Sequence, residues 1–185
     1  MSSEATKFTS PPKARLTFRV GIVGHRPNRL KREDIPSLTA RLAEVLSSVK
    51  KAVEDFSSAH SALFAEGSLC VRAVSPLAEG TDRCFARQAL RLGYELCCPL
   101  PFHKEEFEND CKPEQSVETG MDSVADFNSI LKEAREKSGL VLFELDGIRA
   151  EAPEAYAAAG RTKPRGCGKP RAESSWPLSK DIGIG

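Results

Sequence analysis

The residues best placed to do chemistry lie in Val74-Ser75-Pro76-Leu77-Ala78-Glu79-Gly80-Thr81-Asp82-Arg83, where an apolar segment passes through a turn into an amphipathic helix. A helix that opens after Gly80 leaves free backbone N–H groups, which attract anions. Thr81 is placed to act as the N-cap, and Asp82 to complement the helix dipole. Asp82 would repel a phosphate set directly on it, but it could accept from ribose or sugar hydroxyls. Ser75 and Glu79 add polar groups to the same loop. The competing account is plain helix chemistry, since Thr and Asp are good helix starters. Upstream, Arg19-Val20-Gly21-Ile22-Val23-Gly24-His25-Arg26 also passes from an apolar run into a glycine turn. Gly24 permits a sharp turn and a close ligand approach. Arg26 either grips a phosphate or carboxylate with two donors or is a solvated loop arginine, with His25 capping backbone groups. A third cluster runs from Pro99 to Asp110. Its Glu105 or Asp110 could serve as a general base if desolvated, or its charges form a solvated helix face.

These groups must be carried by elements that the hydrophobic pattern indicates. Leu16–Val23 reads as a first strand. Leu38, Leu42, Val45, Leu46, Val49 and Val53 recur at three and four, giving a helix over Ile35–Phe56. Strands follow at Leu69–Val74, Tyr94–Leu100 and Gly139–Leu145. Helices follow at Asp82–Leu92 and Ser123–Lys137, with a short acidic helix within Phe102–Asp110 and a polar loop at 111–120. Residues 152–160 suggest one or two further helical turns. Strands that alternate with helices indicate a mostly parallel sheet. Their Val, Leu, Ile and Cys content suits strands covered on both faces. The expected fold is a Rossmann-like three-layer α/β sandwich, with the two glycine turns on neighbouring strand ends where α/β ligands bind.

Composition narrows the classes. The chain has 185 residues, 40% hydrophobic and 29% charged, which suits one globular domain. Its 27 basic and 26 acidic residues supply no global attraction to nucleic acid. No apolar run approaches a membrane span of about 18 residues. The six cysteines form no Cys-x-x-Cys pair, and Cys70, Cys97 and Cys98 sit in apolar runs as small hydrophobes. A reducing cytoplasm, no metal and no cofactor are expected. The chain lacks the phosphate loop of P-loop nucleoside triphosphatases and the Gly-x-Ser-x-Gly elbow of α/β-hydrolases. Residues 1–14 read as a frayed tail and 15–160 as the domain. Residues 161–185, rich in Pro, Gly and basic groups, read as a disordered tail.

At these motifs the chain resembles a bacterial branch of the SLOG superfamily, which unites DNA-processing protein A-like and LOG ("lonely guy") Rossmannoid domains. The likeness is carried by the two glycine turns, by Leu100-Pro101-Phe102 with Glu105–Asp110, and by Glu154-Ala155-Tyr156. It spans roughly residues 18–160 and implies binding of a nucleotide or nucleotide-derived ligand. Gly24, His25 and Arg26 would match the first ligand loop; Ser75, Gly80, Thr81 and Asp82 would match the second. Relatives continue past the Tyr156 region with a further strand and a glycine-rich segment, whereas this chain has Arg161-Thr162-Lys163-Pro164-Arg165-Gly166-Cys167-Gly168. The domain is therefore expected to be C-terminally shortened, with a sheet edge through which copies could associate. The hydrolytic members' Pro-Gly-Gly-x-Gly-Thr-x-x-Glu motif is missing. The expected function is a sensor of such a ligand without catalysis. The alternatives are a LOG-type nucleotide N-glycosidase, a single-stranded DNA-binding module and a non-functional truncated product.

Overall fold

The computed structural model of the chain describes residues 11–67, 69–113, 116 and 122–147. Four strands alternate with helices in the order β1 (Thr17–Gly21), α1 (Ile35–Ala59), β2 (Cys70–Val74), α2 (Thr81–Arg91), β3 (Glu95–Leu100), α3 (Lys104–Asp110), α4 (Ser123–Lys137) and β4 (Leu140–Glu144). Two short 3-10 turns, at Pro27–Arg29 and Arg32–Asp34, join β1 to α1. The expected helical turns at 152–160 and the tail from 161 lie outside the described residues, as do residues 1–10.

All four strands are parallel and pair in the order β1-β2-β3-β4. The α/β class with a parallel sheet is therefore as the pattern indicates. One register row crosses the whole sheet, joining Val20 to Ala73, Ala73 to Leu96 and Leu96 to Leu140. All four residues belong to the apolar core or pack against it, so this row marks the helix-facing side. Arg72 and Glu95 point to the opposite side and form an ion pair of 2.6 Å.

Each crossover advances one strand in the same direction. Right-handed crossovers of that kind place successive helices on one face of the sheet. The helices do pack side by side, α1 on α2 and α2 on α4. Doubly wound sheets reverse direction at a switch point, which opens a ligand crevice. Among the described residues the order β1-β2-β3-β4 contains no such reversal, so a site at these strand ends is built by the loops.

The helices start and dock for local reasons. Asp122 caps α4 by accepting from the Ala125 N–H at 2.9 Å. α1 buries Leu46 and Val53 against the sheet. It is clamped by the Tyr94 hydroxyl, which donates to the Leu46 carbonyl at 2.7 Å, and by Lys50 Nζ, which donates to the Leu92 carbonyl at 2.6 Å. Phe107 of α3 and Phe127 of α4 pack as tilted rings, with centroids 5.3 Å apart, and close the core at the β3 end. Cys70, Cys84, Cys97, Cys98 and Cys111 are free thiols. Among the described residues no helix is long and apolar enough to cross a membrane.

Candidate functional site

The loops that follow β1 and β2 meet at the carboxyl ends of these neighbouring strands. They interlock there. The His25 carbonyl accepts from the Thr81 N–H at 3.2 Å and from the Thr81 hydroxyl at 3.1 Å. The contact requires glycine on both sides. A Cβ on Gly24 would fall 2.4 Å from Thr81 Cβ, and one on Gly80 would fall 2.7 Å from the His25 oxygen. Gly80 also has φ +89°, in the region that favours glycine. Both glycines thus have a complete packing role, whatever ligand approaches them.

Thr81 is not the N-cap anticipated from the sequence. Gly80 occupies that position without a side-chain cap, and Thr81 is the first helical residue. Its hydroxyl is drawn away because the β1 loop presents the His25 carbonyl directly above the helix start.

The polar side chains of the second loop turn inward. Ser75 is fully buried; its Oγ accepts from the Leu77 N–H at 3.1 Å and donates to Asp82 Oδ2 at 3.4 Å. Leu77, wholly buried, holds φ +59°, an uncommon conformation for a branched side chain. Glu79 is buried and its Oε1 accepts from the Ser116 and Ser123 hydroxyls, so it faces α4 rather than the β1 loop. Ser75, Gly80, Thr81 and Asp82 therefore gather with Gly24, His25 and Arg26, and Glu79 stands apart from them.

Asp82 is the electrostatic centre of this group. Only 8% of its surface is exposed. Burial pushes its carboxyl from an ordinary value near 3.8 up to about 6, against the opposing pull of the Ser75 hydroxyl, the Ala78 backbone N–H and the positive charge of Arg26. Arg26 is half-buried and His25 is exposed on the outer side of the same junction. A carboxyl that titrates near 6 can accept two hydroxyl protons when charged and donate one when neutral. The nearby guanidinium adds a cation with two-pronged donor geometry.

Arg83 is the principal residue whose role the sequence did not disclose. It is 3% exposed and ties the loop to α4. Nε donates to the Leu77 carbonyl at 3.1 Å, Nη1 to the Ser123 carbonyl and hydroxyl at 3.0 Å each and to Asp126 Oδ2 at 3.2 Å. Nη2 donates to Cys111 Sγ at 3.2 Å. A signal did exist: a cation in the first turn of a helix opposes the dipole, so an arginine there implies dedicated acceptors.

The third cluster lies apart. Glu105 is exposed and Asp110 half-buried on α3. His103 Nδ1 lies 2.8 Å from Glu144 Oε2 of β4, and this contact raises the imidazole above its usual value. Among the described residues no group of His, Cys, Asp or Glu could hold a metal ion. No protein-family model, curated protein or solved structure matches the chain. The likeness to the SLOG superfamily rests on the motifs alone.

Proposed function

We propose that the chain binds a nucleotide or nucleotide-derived small molecule at the joined β1 and β2 loops, without chemistry of its own. The observation that carries this reading is the buried Asp82 carboxyl, held near a pKa of about 6 beside Arg26 at the carboxyl ends of two parallel strands. A carboxylate kept in a site that raises its energy is a common mark of function, because a merely structural acceptor could be an amide. Paired hydroxyls of a ribose would donate to Asp82, and a phosphate or other anion would sit against Arg26. His25 and the outward surface of the β1 loop complete the contact. The inward hydrogen bonds of Ser75 and Glu79 support the reading of both as props of the loop.

The same carboxyl also supports a second reading, a LOG-type hydrolase, since a group titrating near 6 is suited to proton transfer at neutral pH. One experiment separates the two. A thermal-shift screen of nucleosides, nucleoside mono- and diphosphates and sugar phosphates identifies a ligand through its raised melting temperature. Calorimetry with Arg26→Ala and Asp82→Asn then follows. Weakened binding in both variants, with the ligand recovered intact, supports the sensor. Release of free base from the bound nucleotide supports the hydrolase. Unchanged affinity in both variants removes this junction as the site.

A further inference from the structure

The helix α1 carries two apolar stripes: one is buried, and the other meets its own core only in part, through Leu42 and Val49. Leu46 and Val53 face the sheet and are buried. Leu38, Leu42, Val45, Val49, Ala52 and Phe56 alternate at four and three, the spacing of a helix-pairing seam. This seam lies on the flank away from α2, along the β1 edge of the sheet. Val45 is 50% exposed and Phe56 48%, and Phe18 of β1 beside them is 42% exposed. Between helix and strand runs an apolar groove of about 420 Å³, lined by Leu16, Phe18, Val49, Ala52, Val53 and Phe56. Among the described residues β1 pairs only with β2, so its other side is an open edge.

We propose that this flank is the interface of a two-fold homodimer in which α1 packs antiparallel on α1 of a second copy. Its charges select the partner and the register. When Leu42 meets the partner's Ala52 and Val45 meets the partner's Val49, the seam closes on itself. Arg41 then stands opposite the partner's Asp55, and by symmetry Asp55 stands opposite the partner's Arg41. Ser48, midway between them, faces the partner's Ser48. Unlike charges meet at both flanking positions, as they do in pairing helices. A parallel alignment lacks this match, because the residue across from Arg41 would be the partner's Leu46, which is buried in its own core. In the antiparallel arrangement both sheets lie on the same side of the helix pair. The two β1 edges are brought alongside each other, and the groove receives Leu38, Leu42 and Val45 of the second copy.

Arg41 and Asp55 are exposed and currently pair with Glu44 and Lys51 on their own helix. Exposed pairs of this kind contribute little and exchange readily. The full chain in sedimentation velocity is expected to reach twice its 20.1 kDa mass in the micromolar range. Arg41→Glu and Asp55→Arg should each weaken the dimer at least tenfold with unchanged circular dichroism. The double reversal should restore it. Ser48→Cys should oxidise to a covalent dimer. Arg41→Cys should not, since the two copies of position 41 lie about 18 Å apart along the seam at about 1.5 Å per residue. A monomer at every concentration, a dimer indifferent to the reversals, or crosslinking as ready from 41 as from 48 would overturn the proposal. The first outcome would also be seen if residues of the same chain fill the groove.

Discussion

Asp82→Asn is the most direct test of the candidate site. The carboxyl is raised from about 3.8 to about 6 by burial. Each tenfold change in proton affinity is worth about 1.36 kcal/mol. The folded state therefore holds its Asp82 proton in a pH range where the unfolded chain has lost it. With more protons bound to the native state, stability falls as pH rises from about 3.8 through about 6. The gap corresponds to about 3 kcal/mol lost from Asp82 across that window. Asparagine keeps the shape, and its carbonyl can still accept from the Ala78 N–H. The variant should match wild type near pH 4 and exceed it by up to about 3 kcal/mol at pH 7, the full charging cost. Other carboxyls act in the opposite sense: Glu95 and Glu144 are held below their usual range, Glu144 chiefly by His103. The informative quantity is thus the difference between variant and wild type, not either curve alone. Urea unfolding followed by circular dichroism at fixed protein concentration, from pH 4 to 7.5, measures it. A difference that stays flat across the range would refute the reasoning, since Asp82 would then titrate normally. If the difference grows as expected and the variant also loses ligand, the carboxylate is retained for binding at the expense of stability.

Gly24→Ala should destabilise the fold by about 1–3 kcal/mol, because its methyl would stand 2.4 Å from Thr81 Cβ; a wild-type melting curve would show that the loop simply opens. Arg83→Met should cost about 3 kcal/mol or more, since it takes the buried donor from the Leu77 carbonyl and a buried cation from Asp126, and chemical denaturation at pH 7 checks it. Arg26→Ala should weaken an anionic ligand by about 1.5–3 kcal/mol, with Arg26→Lys recovering only part; equal calorimetric affinity in wild type and Ala would dismiss the contact. His103 should titrate above an ordinary imidazole because it hydrogen-bonds Glu144, so its contribution to stability is present at low pH and lost as pH rises through the folded-state value. Glu144→Gln should bring that titration down in an NMR experiment, and an unmoved His103 resonance profile would contradict the contact.

Local pattern was enough to place the elements. The fifteen residues of α4 were legible from Ser123 to Lys137 because Phe127, Ile130, Leu131 and Ala134 repeat on one face between a capping Asp122 and Gly139. The strands were legible as apolar runs bounded by Gly and Pro, to within a residue or two at each end. α1 runs to Ala59, past the last apolar position at Phe56, because backbone hydrogen bonding continues where the periodic signal has stopped. The parallel α/β class followed from alternation alone. The strand order did not, since apolar strands carry no mark of their neighbours, and β1-β2-β3-β4 was decided by how each helix returns the chain. The site shows the same division. The sequence announced the Ser75–Asp82 loop by composition, yet Glu79 meets Ser123 across 44 positions and Arg83 meets Asp126 across 43. Such partners are chosen by the packing of α2 on α4. Residue type and short-range spacing set what each group can do; only tertiary structure decided that Glu79 and Arg83 hold the loop to α4 and that the Asp82 carboxyl is buried within reach of the Arg26 charge.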